Sequence, residues 1–123
     1  MLTDTTFWID LLEERTRRQS GPAARFIATH RAIRFRVSVV TWGELAVGFN
    51  SARDLALTLR GVRLLFLPQQ VAWEASRIER EIAGERLGEN DNWIAATARV
   101  WGLRLVTRDA AFARVPRLSL VSY

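Results

Sequence analysis

Apolar positions along this 123-residue chain follow a helical rhythm in six segments, with short continuous apolar runs between them. Trp8, Leu11 and Leu12 line one side of a helix predicted from about Phe7 to Arg17; Asp10, Glu13, Glu14, Arg17 and Arg18 take the other. Ser20-Gly21-Pro22 stops that helix and starts the next, since Pro22 suits a first helical turn. This second helix runs to about Arg31 and buries Ala23, Phe26 and Ile27. Trp42, Leu45, Ala46 and Phe49 mark a third helix opening at Thr41, and Ser51 caps a short fourth reaching about Arg60. The fifth, Gln70 to Ala83, carries Val71, Ala75, Ile78 and Ile82 on one stripe, with Arg77 and Glu81 paired one turn apart on the outside. Gly88 breaks the chain before a sixth helix, capped by Asn90 or Asp91, whose stripe is Ile94, Ala98 and Trp101.

The runs between helices read as strands: Met1-Leu2-Thr3, Phe35 to Val40, Val62 to Leu67 stopped by Pro68, Leu103 to Val106, and Leu118 to Val121 after a turn through Phe112. They are apolar runs, not strict alternations. Strands buried on both faces look this way, and strands that alternate with helices form parallel sheets. The expected class is therefore α/β, a parallel sheet with helices on both faces, in a single domain over residues 1–123 without linker or repeat.

Composition narrows the chemistry. Half of the residues are hydrophobic (49%), enough for a core, yet no apolar run approaches the roughly 20 residues of a membrane span. Asp4 and Asp10 interrupt the N-terminal apolar segment, so no signal peptide is read there, and a cytoplasmic protein away from the membrane is expected. The absence of Cys excludes thiol catalysis and Cys-held zinc; the single histidine, His30, excludes a His-rich metal site. His30 falls at the end of the second helix, where a packed or dipole-satisfied imidazole is the expectation. Net charge is +5, and all 18 basic residues are Arg. The arginine fork suits phosphate and points to nucleic acid, although codon bias also produces an all-Arg chain. Without Lys there is no Walker-type phosphate loop, no Schiff-base enzyme and no Lys-dependent phospho-receiver.

Four acids stand at junctions. Asp4, Glu44 and Asp109 lie at or just after the C-terminal ends of predicted strands, and Asp91 opens a helix. Sites in open α/β sheets form beyond those strand ends. Each acid also has a structural explanation: Asp4, Asp91 and Asp109 as N-caps, and Glu44 in the capping box Thr41-x-x-Glu44. If they converge, their repulsion favours a divalent cation, and an all-oxygen set without His or Cys favours Mg²⁺ or Mn²⁺. Such an ion lowers the pKa of bound water and stabilises charge on a phosphodiester under attack.

Asp4-Thr5-Thr6, Thr41-Trp42-Gly43-Glu44-Leu45, Asn90-Asp91-Asn92-Trp93-Ile94-Ala95-Ala96 and Leu105-Val106-Thr107-Arg108-Asp109-x-x-Phe112 occur in this order. Together they resemble the acidic motifs of PIN domains, most closely those of VapC-type ribonuclease toxins. The resemblance implies a PIN-like three-layer fold with a central parallel sheet flanked by helices. It also implies a Mg²⁺-dependent endoribonuclease (Mn²⁺ being the alternative ion) that hydrolyses RNA with a metal-activated water. Asp4, Glu44, Asp91 and Asp109 would be catalytic metal ligands, supported by Thr107 and Thr6. Thr6 departs from the Asn frequent at that place in the family. A homodimer and a cognate antitoxin partner are further implications. The alternative is a PIN-like domain that binds RNA or protein without cutting. Asp10 and Glu89, acids close to the motifs, are read as solvated. Trp8, Trp42 and Trp101 fit the core at helical spacing, whereas Trp73 and Trp93 fall off the stripes and suit an interface.

Overall fold

Capping chemistry decides where the predicted elements begin. The computed structural model describes residues 1–123. Its elements are β1 (Leu2–Thr3), α1 (Thr5–Thr16), α2 (Pro22–Thr29), β2 (Arg36–Ser38), α3 (Val39–Ala46), α4 (Ala52–Thr58), β3 (Arg63–Leu65), α5 (Gln69–Glu81), α6 (Glu89–Val100), β4 (Leu105–Val106), a 3₁₀ turn (Ala110–Arg114) and β5 (Leu120–Val121). The second strand is shorter than its apolar run. Ser38 Oγ accepts from the Thr41 N–H at 3.0 Å, so Val39 and Val40 are the first turn of α3 and not the end of β2.

The five strands pair in the order β3-β2-β1-β4-β5, every neighbour parallel. Two apolar clusters hold the helices against this sheet. One joins Leu65, Val71, Ile78, Ile94, Leu105 and Phe112 beneath α5 and α6. The other joins Phe7, Leu11, Phe26, Val37, Leu55 and Val106 beneath α1, α2 and α4. Leu105 and Val106 are adjacent, yet they belong to opposite clusters. A sheet buried on both faces requires this alternation of side-chain direction, and it accounts for strands that read as unbroken apolar runs. The α/β layering read from the sequence is the observed one.

One expectation for the helix faces fails. Trp101 does not join the stripe of α6: the helix ends at Val100, Gly102 turns the chain at φ +59°, and Trp101 is left 46% exposed as the C-cap. Trp8 is buried, its Nε1 donating to Thr3 Oγ1 at 2.7 Å, while Trp42 and Trp93 are half-buried and Trp73 is 65% exposed. His30 caps the C-terminus of α2, its ring stacked on Phe26 at 4.0 Å, as a packing residue does.

The pairing of Arg77 with Glu81 is real, at 3.3 Å, but it belongs to a larger network. Arg99 on α6, only 7% exposed, reaches Glu74 at 2.6 Å and Glu81 at 2.9 Å across to α5. Arg99 and then Arg117 hold the Glu81 carboxyl below the usual carboxylate range, against the opposing effect of its burial. A buried pair that loses one partner strands the other's charge. Arg99→Ala should therefore lower the free energy of unfolding by about 2 kcal/mol, since it leaves the buried Glu74 only the half-exposed Arg77 at 3.2 Å. Urea titration checks this. Joint replacement of Arg99 by Met and Glu74 by Leu should recover most of the loss, and a single-variant effect below about 1 kcal/mol would reduce the pair to a screened surface contact.

Candidate active site

The site is assembled by the register of the two central strands. Thr3 of β1 lies opposite Val106 of β4, so Asp4 and Thr107 emerge side by side at the sheet's carboxyl edge. Asp4 Oδ1 accepts from the Phe7 N–H at 2.8 Å and caps α1. Its Oδ2 accepts from the Thr107 hydroxyl, whose oxygen in turn accepts from the Asp109 N–H at 3.0 Å. Asp109 Oδ1 accepts from the Ala111 N–H at 2.8 Å and caps the 3₁₀ turn. Both acids are thus the caps the sequence allows, and both also sit at the strand ends.

Glu44 and Asp91 are not caps. The N-cap of α3 is Ser38, so no capping box forms at Thr41. Glu44 lies deeper in α3, where Oε1 accepts from Asn90 Nδ2 at 2.8 Å and Oε2 accepts from the Thr5 hydroxyl. The N-cap of α6 is Gly88, which leaves Asn90 to reach across to Glu44 and Asp91 in the first turn. The Asp91 carboxylate is half-buried and engages no hydrogen-bond donor of the protein. Thr6, named by the motif, makes no side-chain hydrogen bond; Thr5 holds the acid instead. Thr5 and Asn90 are the residues that motif reading passed over. Both adjoin a named acid in sequence, and only the packing of α3 against α1 and α6 reveals what they do.

The four carboxylates feel one another. Burial, foremost, pushes the Asp4 carboxyl up to about 6, against the opposing hydrogen bonds from Thr107 and Phe7, and the charges of Asp91 and Asp109 add to the rise. Asp91 is raised too, first by burial and then by Asp109 and Glu44. None of the four is ion-paired to an arginine. As mutual repulsion favours, they stand apart, and no three of these groups are close enough together to surround one ion. The donor set nevertheless fits a hard cation: every donor is oxygen, Asp91 is uncommitted, and a positive ion would relieve the raised acids.

Of the two neighbouring acids, Glu89 is exposed as expected, but Asp10 is not solvated. Its Oδ1 accepts from Arg108 Nη2 at 2.9 Å and its Oδ2 from the Tyr123 hydroxyl at 2.6 Å. Burial, the bond to Asp10 and the Asp10 charge raise the Tyr123 pKa and keep the phenol protonated.

Comparison with known proteins agrees with this geometry. The profile of the PIN domain matches residues 1–118. Over 97 residues the chain is 31% identical to ribonuclease VapC4 of Mycobacterium tuberculosis, an overlap of 70% of this chain and 75% of that protein. A crystal structure of DNA-bound VapBC from Salmonella typhimurium superposes with a TM-score of 0.80 at 25% identity, covering 98% of this chain and 96% of that one. A toxin–antitoxin complex from Klebsiella pneumoniae gives 0.73 at 26% identity over 98% and 94%. With the profile matched from Met1 through β4 and a VapC ribonuclease as relative, the chain belongs to the PIN-domain family and is of its VapC type.

Proposed function

We propose that this protein is a metal-dependent endoribonuclease toxin, using Mg²⁺ with Mn²⁺ as the alternative ion, with Asp4, Glu44, Asp91 and Asp109 holding the ion. The observation that carries the reading is a set of four carboxylates without an arginine partner, Asp4 and Asp109 after strands and Glu44 and Asp91 on α3 and α6, in a chain whose every basic residue is Arg. Family membership and the ribonuclease relative support it.

Each side chain has a distinct task in this reading. Asp4 is the fixed point, oriented by Phe7 and Thr107, with a lone pair left over on each oxygen. Thr107 also anchors the Asp109 backbone, and Thr107 thereby supports two ligands at once. Glu44 is steadied by Thr5 and Asn90. Asp91 turns to complete the set, since nothing else engages its oxygens. When bound, the cation supplies Lewis acidity at the scissile phosphate and a readily deprotonated water. The arginines bind the polyanion that the bare carboxylates would repel.

The PIN-like RNA- or protein-binding domain that does not cut is the second reading, and the open spacing of the acids is the observation on its side. Retained RNA binding without cleavage would decide for it. We further propose an antitoxin partner and a homodimer. The relatives solved as VapBC and as a toxin–antitoxin complex support the first. The exposed apolar side chains Val47 and Leu57 on one flank, with Phe66, Trp73 and Trp101 on another, are surfaces that such partners would cover. No helix is long and apolar enough to cross a membrane.

Purified, antitoxin-free protein should cut total RNA at discrete positions with Mg²⁺ and stop on addition of EDTA. Asp91→Ala should lower the rate by at least about 100-fold while the fold persists, as checked by circular dichroism. Cleavage that continues in EDTA, or in folded Asp91→Ala, would remove the four-acid mechanism.

Stability should also depend on pH through Asp4. The unfolded chain loses this proton near pH 4, whereas the fold keeps it to about 6. Between those values the folded state holds a proton the unfolded state has released, so stability falls as pH rises through the window, by roughly 3 kcal/mol from this group. Asn caps helices as well as Asp does. Metal-free Asp4→Asn should therefore melt above the parent at pH 7.5, and the gap should close towards pH 4. Equal melting temperatures at both pH values would contradict the assignment.

A further inference from the structure

Arg108 lies in the chain between Thr107 and Asp109, and its guanidinium is held in place on two sides. Asp10 Oδ1 accepts from Nη2 at 2.9 Å, and the group lies over the Tyr123 ring, 5.9 Å from its centroid. Tyr123 in turn donates to the other Asp10 oxygen and packs edge-on against buried Phe7 at 4.9 Å. The network ties α1 to the segments after β4 and β5, its hydrogen-bonded partners standing 98 and 113 positions apart in the chain. A pair whose arginine is half-exposed adds only modest stability, and its clearer effect is to hold the guanidinium in one orientation. Arg108 remains 53% exposed, and only Nη2 donates within the protein. Its other N–H groups are left free for a planar, bidentate anion.

A groove of about 260 Å³ runs from Arg108 along α1 to Arg17 and Gly21. Its acids are all engaged: Asp10 by Arg108 and Tyr123, Glu13 by Arg17 at 3.3 Å, and Glu14 by the Ala23 and Ala24 N–H groups at 3.0 and 2.8 Å. The acids of the groove thus have their oxygens committed within the protein, and Arg108, at its end and next to Asp109 in the chain, is the cation held in one orientation with N–H groups to spare.

We propose that Arg108 is a substrate-binding residue that seats a backbone phosphate of RNA next to the scissile bond, with Asp10 and Tyr123 as the residues that position it. The inference rests on the ribonuclease reading above and deepens it. One phosphate held at Arg108 fixes the register of the strand as it passes the carboxylates, and it offsets the repulsion they present to the rest of the backbone.

The test uses a labelled RNA oligonucleotide spanning a cleavage position mapped with the parent protein. Binding is measured with Mg²⁺ in the Asp91→Asn background, over a range of salt. Arg108→Gln should weaken binding by about fivefold to tenfold. It should also flatten the slope of log affinity against log salt by about 0.7, the loss of one phosphate contact to a single strand. A merely structural role would leave that slope unchanged. In the cleaving protein, KM should rise about tenfold while kcat stays within about threefold. Arg108→Lys, which keeps the charge without the fork, should retain the slope and recover part of the affinity. Should Arg108→Gln fail to fold, Arg108→Lys carries the test: weaker binding at unchanged slope supports the forked clamp, and unchanged binding overturns it. Folded Arg108→Gln with parental affinity, slope and KM overturns the proposal and leaves the ribonuclease reading intact. Loss of antitoxin binding alone would do the same, assigning Arg108 to protein recognition. A parent that neither binds nor cuts RNA removes both.

Discussion

The hydroxyl of Thr107 joins three parts of the site at once. It donates to Asp4, accepts from the Asp109 N–H, and sits where β4 meets β1. Everything at the carboxyl edge depends on that junction, because the strands beneath it are only two residues long. So short a pair has little ladder of its own to set its register. Burial does it instead: a slip of one residue would exchange Leu105 and Val106 between the two cores and carry Thr107 away from Asp4.

Helix capping and acid clustering are the same structural act in half of this site. A carboxylate that caps a helix uses one oxygen for the backbone and keeps the other, with its lone pairs, for another purpose. Asp4 and Asp109 do this at α1 and at the 3₁₀ turn. The donated N–H groups hold each acid in a single orientation. Asp91 is the opposite case. Gly88 begins its helix without a side-chain cap, so its carboxylate is neither oriented nor neutralised by its own backbone. The cluster thus combines rigid acids with one adjustable acid, a combination suited to closing around a charged guest.

Much of this was legible in the chain. Alternating apolar rhythms separate helices from strands because a parallel sheet buries both its faces, and Asp4 and Asp109 fall at strand ends because caps lie there. What was not legible has specific physical causes. Ser38 takes the cap of α3 from Thr41 because its hydroxyl is one turn nearer the strand, a choice local sequence leaves open. Thr5 supplants Thr6 because the direction of α1 turns it towards Glu44. Trp101 loses its place in the core because the helix stops one residue early. Asp10 looked solvated because its partners, Arg108 and Tyr123, are about a hundred residues away in sequence and adjacent only after folding. Arg99 escaped notice for the same reason, lying on a different helix from Glu74 and Glu81.

The absence of any loop between β2 and α3 bears on how such a chain can diversify. Ser38 is both the last strand residue and the helix cap, so Glu44 is geared directly to the sheet. One residue inserted between Ser38 and Glu44 would swing the acid about 100° around its helix, out of reach of Thr5 and Asn90. The stretch between α5 and Gly88 carries no such gearing, since its length can change without rotating α6 relative to its own acid. Lineages descended from this fold are therefore free to lengthen or trim that stretch, while the joint at Ser38 tolerates no change in count.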